Sequence, residues 1–166
     1  MKGVINLKKI DKKIVTIIVS ILIILDQLSK VVIVLIKDKL PIIVINKFFM
    51  LSYVENSGAA FGIKVGSVWT FILINIIVIG FIIAIFYSQI SKLKNKEVIV
   101  FSLVLAGGIS NLIDRIFRGA VIDFLDFTPV VNFPVFNFSD IMIVVSVFIF
   151  IILLIKNLIY KSDSIK

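Results

Sequence analysis

Two aspartates in apolar surroundings are the residues of this sequence best suited to chemistry. Asp123 stands in the stretch AVIDFLDF, and Asp140 ends FPVFNFSD, directly before a long apolar run. Neither has a basic residue at helical spacing that would neutralise it. Two carboxyl groups held close in a low-dielectric site share a proton, so one activates a water molecule while the other protonates a carbonyl or a leaving group. Such a pair hydrolyses peptide bonds without histidine, cysteine or metal.

The residue types that the chain lacks narrow this chemistry further. There is no cysteine and no histidine, which excludes disulfides, thiol nucleophiles, Ser-His pairs and the usual zinc sites. We expect no metal and no cofactor, although a magnesium site built from the same acids is an open alternative. Simpler roles are also open. Asp140 can cap the following helix together with Ser139, and Asp123 can be a solvated loop residue, against which its apolar neighbours argue.

Other polar residues occupy apolar runs or their ends, where each is costly and therefore a candidate for function. Asp26 and Lys30 are one helical turn apart, so they either neutralise each other or orient a substrate. The stretch GGISNLIDR combines two glycines, which permit close helix packing, with a polar end. That end provides Asn111, Asp114 and Arg115, for which we expect a supporting role.

The elements that must position these residues are membrane spans. Of the 166 residues, 60% are hydrophobic, well above the roughly 45–50% of soluble globular domains. Four apolar runs, each close to the ~20 residues that cross a bilayer as a helix, cover residues 14–36, 68–87, 98–117 and 141–160. The first run is longer than a signal-peptide core and lacks a small-residue cleavage site, so we expect a retained anchor. We predict a membrane protein with an all-α core, formed as a single four-helix domain over residues 1–166.

The distribution of lysines predicts the orientation of the four spans. Lysines precede the first span, lie between the second and third, and close the chain. By the positive-inside rule, both termini are cytoplasmic. The net charge of +8 then reflects topology and contact with anionic membrane lipids, and nucleic acid is not an expected partner.

Two segments face outward in this topology. Residues 40–65 are rich in β-formers and end in a small-residue turn, which predicts a small β-rich extracytoplasmic platform between helices 1 and 2. Residues 118–139 contain two prolines and several phenylalanines, which favours an extended, partly buried connection. At ~1.5 Å per helical residue, the polar groups of the spans approach the outer face, as do Asp123 and the loop residue Asn56. The sequence therefore predicts a site near that face.

Five motifs, taken together, resemble those of a known family. The stretches DQLSK, ENSGAAFG, GGISNLIDR, GAVIDFLD and FPVFNFSD are similar, in order and spacing, to motifs of the lipoprotein signal peptidase (signal peptidase II) of bacteria. The match reaches from Asp26 to Asp140 and agrees with the four-span plan. Two positions depart from the family's common pattern, since Ser110 precedes Asn111 and Ser139 precedes Asp140. Both are small replacements, which affect fine geometry more than activity.

The resemblance implies an aspartyl endopeptidase of the bacterial cytoplasmic membrane. It implies removal of the signal peptide from prolipoproteins by a cut just before a cysteine that already carries diacylglycerol. The expected partners are thus lipidated prolipoproteins and membrane lipids, and we expect a monomer. The catalytic aspartates of the family match Asp123 and Asp140. The other motif positions carry over as substrate-binding or supporting residues: Asp26, Lys30, Asn56, Asn111, Asp114, Arg115 and Asn137.

Two rival functions fit parts of the sequence. A small proton-coupled membrane carrier also places acids in its spans. However, the polar groups crowd toward one face here, and the second and fourth spans contain no acid. An intramembrane aspartyl protease of the presenilin type is the other rival. Resemblance to that type would require a GxGD motif, which this sequence lacks.

Overall fold

Four long helices dominate the computed structural model, which describes residues 12–58, 67–89 and 93–163. The helices are α1 Lys12–Leu35, α2 Val68–Gln89, α3 Asn95–Arg118 and α4 Phe138–Asp163. All four are long and apolar enough to cross a membrane. A small antiparallel sheet accompanies them. The predicted fold class, an all-α membrane core with a small β-rich part, is therefore confirmed.

Helix α3 lies at the centre of the bundle and contacts each of the other three helices. In the most apolar 18-residue stretch of α3, 50% of the residues are buried, against 6% in α2 and 17% in α1 and in α4. The outer helices present most of their aliphatic side chains outward, as helices that face lipid do. The polar residues of α3 can therefore be reached from every side of the bundle by neighbouring side chains.

Glycine at position 107 allows α4 to begin close to α3. A Cβ atom on Gly107 would lie 2.5 Å from the carbonyl oxygen of Ser139 and 2.9 Å from Cγ1 of Ile143. Any larger residue would push the two helices apart, because backbone atoms cannot give way as a flexible side chain does. This contact places the first turn of α4 beside the polar end of α3.

The sheet covers the end of the bundle where α1 and α3 stop and α4 starts. Its antiparallel strands, β1 Ile42–Ile45, β2 Phe49–Asn56 and β3 Val121–Asp126, lie in the order β1-β2-β3. The first two belong to the segment that the sequence predicts to be β-rich. Residues 59–65 of that segment lie outside the described residues, as does the N-terminal stretch 1–11 with Lys2, Lys8 and Lys9. Ile33 of α1 joins Ile122, Phe124 and Leu125 of β3 in one buried cluster.

Strand β3 lies within residues 118–139, where the sequence predicts only an extended connection. All six of its residues are buried, so no alternation of polar and apolar positions marks it as a strand. Gly119, with a φ of +77°, ends α3 in the left-handed conformation and turns the chain toward β3. The second predicted connection thus supplies the strand that carries Asp123.

Candidate active site

Asp123 lies in the middle of β3 and is almost fully buried, with 1% of its surface exposed. Asn56 of β2 donates a hydrogen bond from Nδ2 to Oδ2 of Asp123 at 2.9 Å. Asn137 donates from Nδ2 to Oδ1 at 2.6 Å. Burial raises the pKa of Asp123 to about 6; the hydrogen bond from Asn56 opposes this rise, and the negative charge of Asp140 adds to it. The predicted alternative of a solvated loop residue is wrong for Asp123.

Asp140 occupies the first turn of α4, where it is part of a reciprocal capping arrangement. Its N–H donates to Oδ1 of Asn137 at 3.0 Å, and its Oδ2 accepts from the N–H of Asn137 at 3.2 Å. Asn137 is therefore the cap of α4, and Asp140 is the acidic partner three residues later. The alternative that Asp140 caps the helix together with Ser139 is therefore wrong, and the hydroxyl of Ser139 binds Asp26 instead. Its other oxygen, Oδ1, accepts from Nδ2 of Asn111 at 2.9 Å.

The two aspartates line the same cavity of about 100 Å³. Asn137 contacts both carboxylates, because its side chain binds Asp123 and its backbone N–H binds Asp140. Three other polar side chains line the cavity, Asn56, Asn111 and Arg115. Its remaining wall is formed by Val121 and the segment Phe133, Pro134, Val135 and Phe136. The arrangement provides two acids, amide donors that orient them, and space for a small reacting group.

A buried ion-pair cluster lies behind this cavity. Lys30 of α1 is fully buried, and its Nζ lies 2.8 Å from Oδ2 of Asp26 and 2.7 Å from Oδ2 of Asp114. The same Nζ donates to Oδ1 of Asn111 at 3.0 Å. Arg118 also pairs with Asp114. The predicted pairing of Asp26 with Lys30 is present, but it extends to α3 and so connects α1 to a residue that binds Asp140.

Arg115 joins the cavity to the chain after β2. Its NH2 donates to the carbonyl oxygen of Gly58 at 3.0 Å, and its guanidinium lies 5.9 Å above the ring of Phe71 in α2. The Nε atom is buried and has no hydrogen-bond partner among the described residues. The structure thus places Arg115 in the wall of the cavity, where it pairs with a backbone carbonyl.

Three further polar residues belong to this region, although the sequence does not predict their contacts. Ser110 and Ser139, the two departures from the family pattern, both donate their hydroxyls to Oδ2 of Asp26, at 2.6 and 2.7 Å. Gln27 donates to Oδ1 of Asp114 at 3.1 Å. For Gln27 and Ser110 the available signal is their position inside apolar runs; Ser139 lies just before such a run. The seven supporting residues named above and the two aspartates all lie in or directly behind this one site.

The fold and the site define a class: a multi-pass membrane protein with two aspartates in one cavity. Comparison with known proteins narrows this class. The signature of the family described as Signal peptidase (SPase) II matches residues 18–156. The chain belongs to the signal peptidase II family and is an aspartic peptidase, as the resemblance of its motifs predicts.

Individual relatives agree with this assignment. A lipoprotein signal peptidase of Fusobacterium nucleatum is 37% identical over 135 residues, which cover 80% of each chain. One from Halothermothrix orenii is 38% identical over 145 residues and covers 84% of this chain and 94% of its own. A bacterial membrane enzyme solved by the in meso method at 2.3 Å resolution superposes with a TM-score of 0.77 and 31% identity, covering 90% of this chain and 92% of that one.

Proposed function

We propose that this protein removes the signal peptide from diacylglyceryl-modified prolipoproteins, by a cut before the lipidated cysteine, and that Asp123 and Asp140 activate the water. The observation that carries the proposal is that both carboxylates line one cavity and are bound by the same residue, Asn137. A shared partner restricts how far the two acids can separate. Such closeness is what proton sharing between carboxyl groups requires.

The proposed chemistry divides the work between the two acids. One carboxylate takes a proton from water while the water oxygen attacks the scissile carbonyl carbon, and the other, protonated, donates to the carbonyl oxygen. The raised pKa of Asp123 favours a shared proton near neutral pH. Asn56, Asn111 and Asn137 donate to the acids and hold their oxygens in place. Collapse of the tetrahedral intermediate then transfers a proton to the leaving nitrogen and separates signal peptide from cysteine.

The proposal includes a placement in the bacterial cytoplasmic membrane, with both termini cytoplasmic and the site near the outer face. The lysine distribution supports this orientation. With that placement, the lipid chains of a substrate stay in the outer leaflet while its scissile bond reaches the cavity. We propose that one chain over residues 1–166 forms the working domain as a monomer in contact with membrane lipids.

The proton-coupled carrier has no comparable observation in its favour. In the described part of the chain, the buried charges Asp26, Lys30 and Asp114 are bound to one another. Asp123 and Asp140 lie at the same end of the bundle as this cluster. A relay across the bilayer would need titratable groups spread along its depth.

The test is cleavage by the purified full chain in detergent with added phospholipid. The substrates are a diacylglyceryl-modified prolipoprotein and its unlipidated twin, and the variants are Asp123→Asn and Asp140→Asn. We expect cleavage of the lipidated substrate alone and a loss of at least about a thousandfold in either folded variant, as for other removed catalytic groups. Normal turnover by both variants would refute the catalytic role of Asp123 and Asp140. If the wild type left the lipidated substrate intact, the proposed function itself would be refuted.

A further inference from the structure

Beside the candidate active site, β2 has one more residue than β3 between two successive paired positions. Leu51 pairs with Leu125 and Val54 pairs with Asp123. Two residues of β2, Ser52 and Tyr53, therefore stand opposite the single residue Phe124 of β3. This is a β-bulge, a feature that bends a strand and changes which side chains share a face.

The bulge decides whether Asn56 can reach Asp123. If this same sequence paired without the bulge, with Leu51 still opposite Leu125, Asp123 would stand opposite Tyr53. Asn56, three positions further on, would then point to the other face of the sheet. With the bulge, Asp123 stands opposite Val54, two positions from Asn56, so both side chains share one face. The observed contact between Nδ2 of Asn56 and Oδ2 of Asp123, 2.9 Å, depends on this shift.

A second polar contact joins the bulge to Asp126, the last residue of β3. Ser52, inside the bulge, donates its hydroxyl to Oδ2 of Asp126 at 2.6 Å. The other oxygen of Asp126 accepts from the N–H of Thr128 at 2.9 Å and from its hydroxyl at 2.6 Å. Asp126 is buried, with 4% exposed. Burial works to raise the pKa of Asp126, but the hydrogen bonds from Ser52 and Thr128 outweigh it, so the acceptor is the ionised carboxylate.

We propose that the bulge at Ser52 and Tyr53, held by the hydrogen bond from Ser52 to Asp126, keeps the Asn56 amide on Asp123. Ser52 and Asp126 are then positioning residues for the reaction, which they influence through Asn56 without touching the substrate. The proposal rests on the function proposed above only in naming the reaction. Its structural content is the coupling between the bulge and the titration of Asp123.

The direct test compares Ser52→Ala with Thr128→Val, which removes a hydroxyl from the opposite oxygen of the same carboxylate and leaves the bulge contact intact. We expect Ser52→Ala to lower kcat/KM for the lipidated precursor about three- to tenfold, the scale of one net hydrogen bond. It should also move the inflection that belongs to Asp123 to higher pH, in the same direction as Asn56→Ala. Thr128→Val keeps the wild-type inflection, and Ser52→Thr, which retains a hydroxyl, restores it.

Carbon-13 NMR of the aspartate carboxyls reads the same shift without any cleavage, with the Asp123→Asn variant identifying the signal. If the wild type leaves the lipidated precursor intact, the proposed function fails while this titration still decides the positioning role. Ser52→Ala combined with Asn56→Ala should titrate like Asn56→Ala alone, because both changes act through one bond. An additive shift, or a folded Ser52→Ala with the wild-type titration, overturns the proposal. Asp126→Ala, which removes the acceptor of the Ser52 hydroxyl, repeats the test if Ser52→Ala does not fold.

Discussion

Nδ2 of Asn137 lies 2.6 Å from Oδ1 of Asp123, which connects the cap of a membrane helix to the middle of a strand. The same residue accepts from the N–H of Asp140 and donates its own N–H to that carboxylate. One asparagine therefore starts α4 and orients both candidate catalytic acids. Its two tasks can be separated by substitution.

Two replacements of Asn137 should separate its effect on stability from its effect on the pKa of Asp123. Asn137→Ala removes the cap, which costs about 1 kcal/mol, and removes a donor that stabilises ionised Asp123, so the pKa of Asp123 rises. Asn137→Ser keeps a good capping oxygen and still loses the long amide. We expect it to unfold like the wild type in detergent but to share the raised inflection of the alanine variant in the pH profile of kcat/KM. Equal profiles for Asn137→Ser and the wild type would contradict the assigned contact.

Asp123 should make the folded protein less stable as the pH rises. Its pKa increases from the ordinary 3.8 to about 6 on folding, so the folded state binds the proton more tightly than the unfolded state. The free energy of unfolding therefore falls between about pH 4 and pH 6, by on the order of 3 kcal/mol at most. Asp123→Asn should be inactive yet more stable than the wild type at pH 7.5, with the difference vanishing near pH 4. Thermal unfolding at both pH values measures this, and a variant less stable than the wild type at pH 7.5 speaks against the buried charge.

Lys30 should be essential for folding. Its ammonium group is buried between Asp26 and Asp114. Lys30→Met leaves the buried Asp26 without a cation and Asp114 with Arg118 alone, which should cost about 3–5 kcal/mol. Asp26→Asn in the same chain removes one of these charges and should recover part of the loss. Lys37→Met, at an exposed position, is the control and should change stability by less than about 0.5 kcal/mol. Chemical unfolding in detergent compares the variants, and equal stability of the two single variants would refute the cluster.

The two serines bound to Asp26 should behave as a coupled pair. Ser110→Ala and Ser139→Ala each remove one hydroxyl from the same oxygen, which should cost about 0.5–1.5 kcal/mol. Both hydroxyls donate to one oxygen of Asp26, and its other oxygen accepts from the N–H of Ser139 at 2.9 Å. The loss of stability in the double variant should therefore differ from the sum of the two single losses. Ser88→Ala, at an exposed site, serves as the control. A strictly additive cycle in the unfolding measurements would show that the two hydroxyls act independently.

Three glycine substitutions should differ according to the space around each position. Gly107→Ala puts a methyl group 2.5 Å from the carbonyl oxygen of Ser139, so α4 must move and activity should drop at least tenfold, as misplaced reacting groups do. Gly108→Ala meets only side-chain atoms of Ile79, the nearer at 3.3 Å, and should be milder. Gly80→Ala meets nothing within 4 Å and should stabilise α2 by about 0.5–1 kcal/mol. Cleavage and unfolding assays on the three variants check this order, and full activity of Gly107→Ala would disprove the close approach.

Much of this architecture follows from the sequence because its signals are local. The apolar runs predict the helices, and the depth of Asp26, Lys30 and Asn111 predicts that they approach one site. Strand β3 could not be predicted in the same way, since its pairing partner lies some seventy residues earlier in the chain and both its faces are buried. From the sequence a cap at Asp140 is an open alternative, because an aspartate directly before an apolar run is a good cap. The contacts of Asn137 assign that role to Asn137 instead. Contacts such as those of Ser110 and Ser139 with Asp26 require knowledge of which helices touch.

Gly119 ends α3 and sends the chain into β3, so both candidate catalytic aspartates lie after the third membrane helix in the order of synthesis. A growing chain that has inserted only α1 and α2 carries neither of them. Asn137, which binds both aspartates, follows β3 and directly precedes α4. The pair can therefore form only after α3, the turn at Gly119, β3 and the start of α4 have all been made.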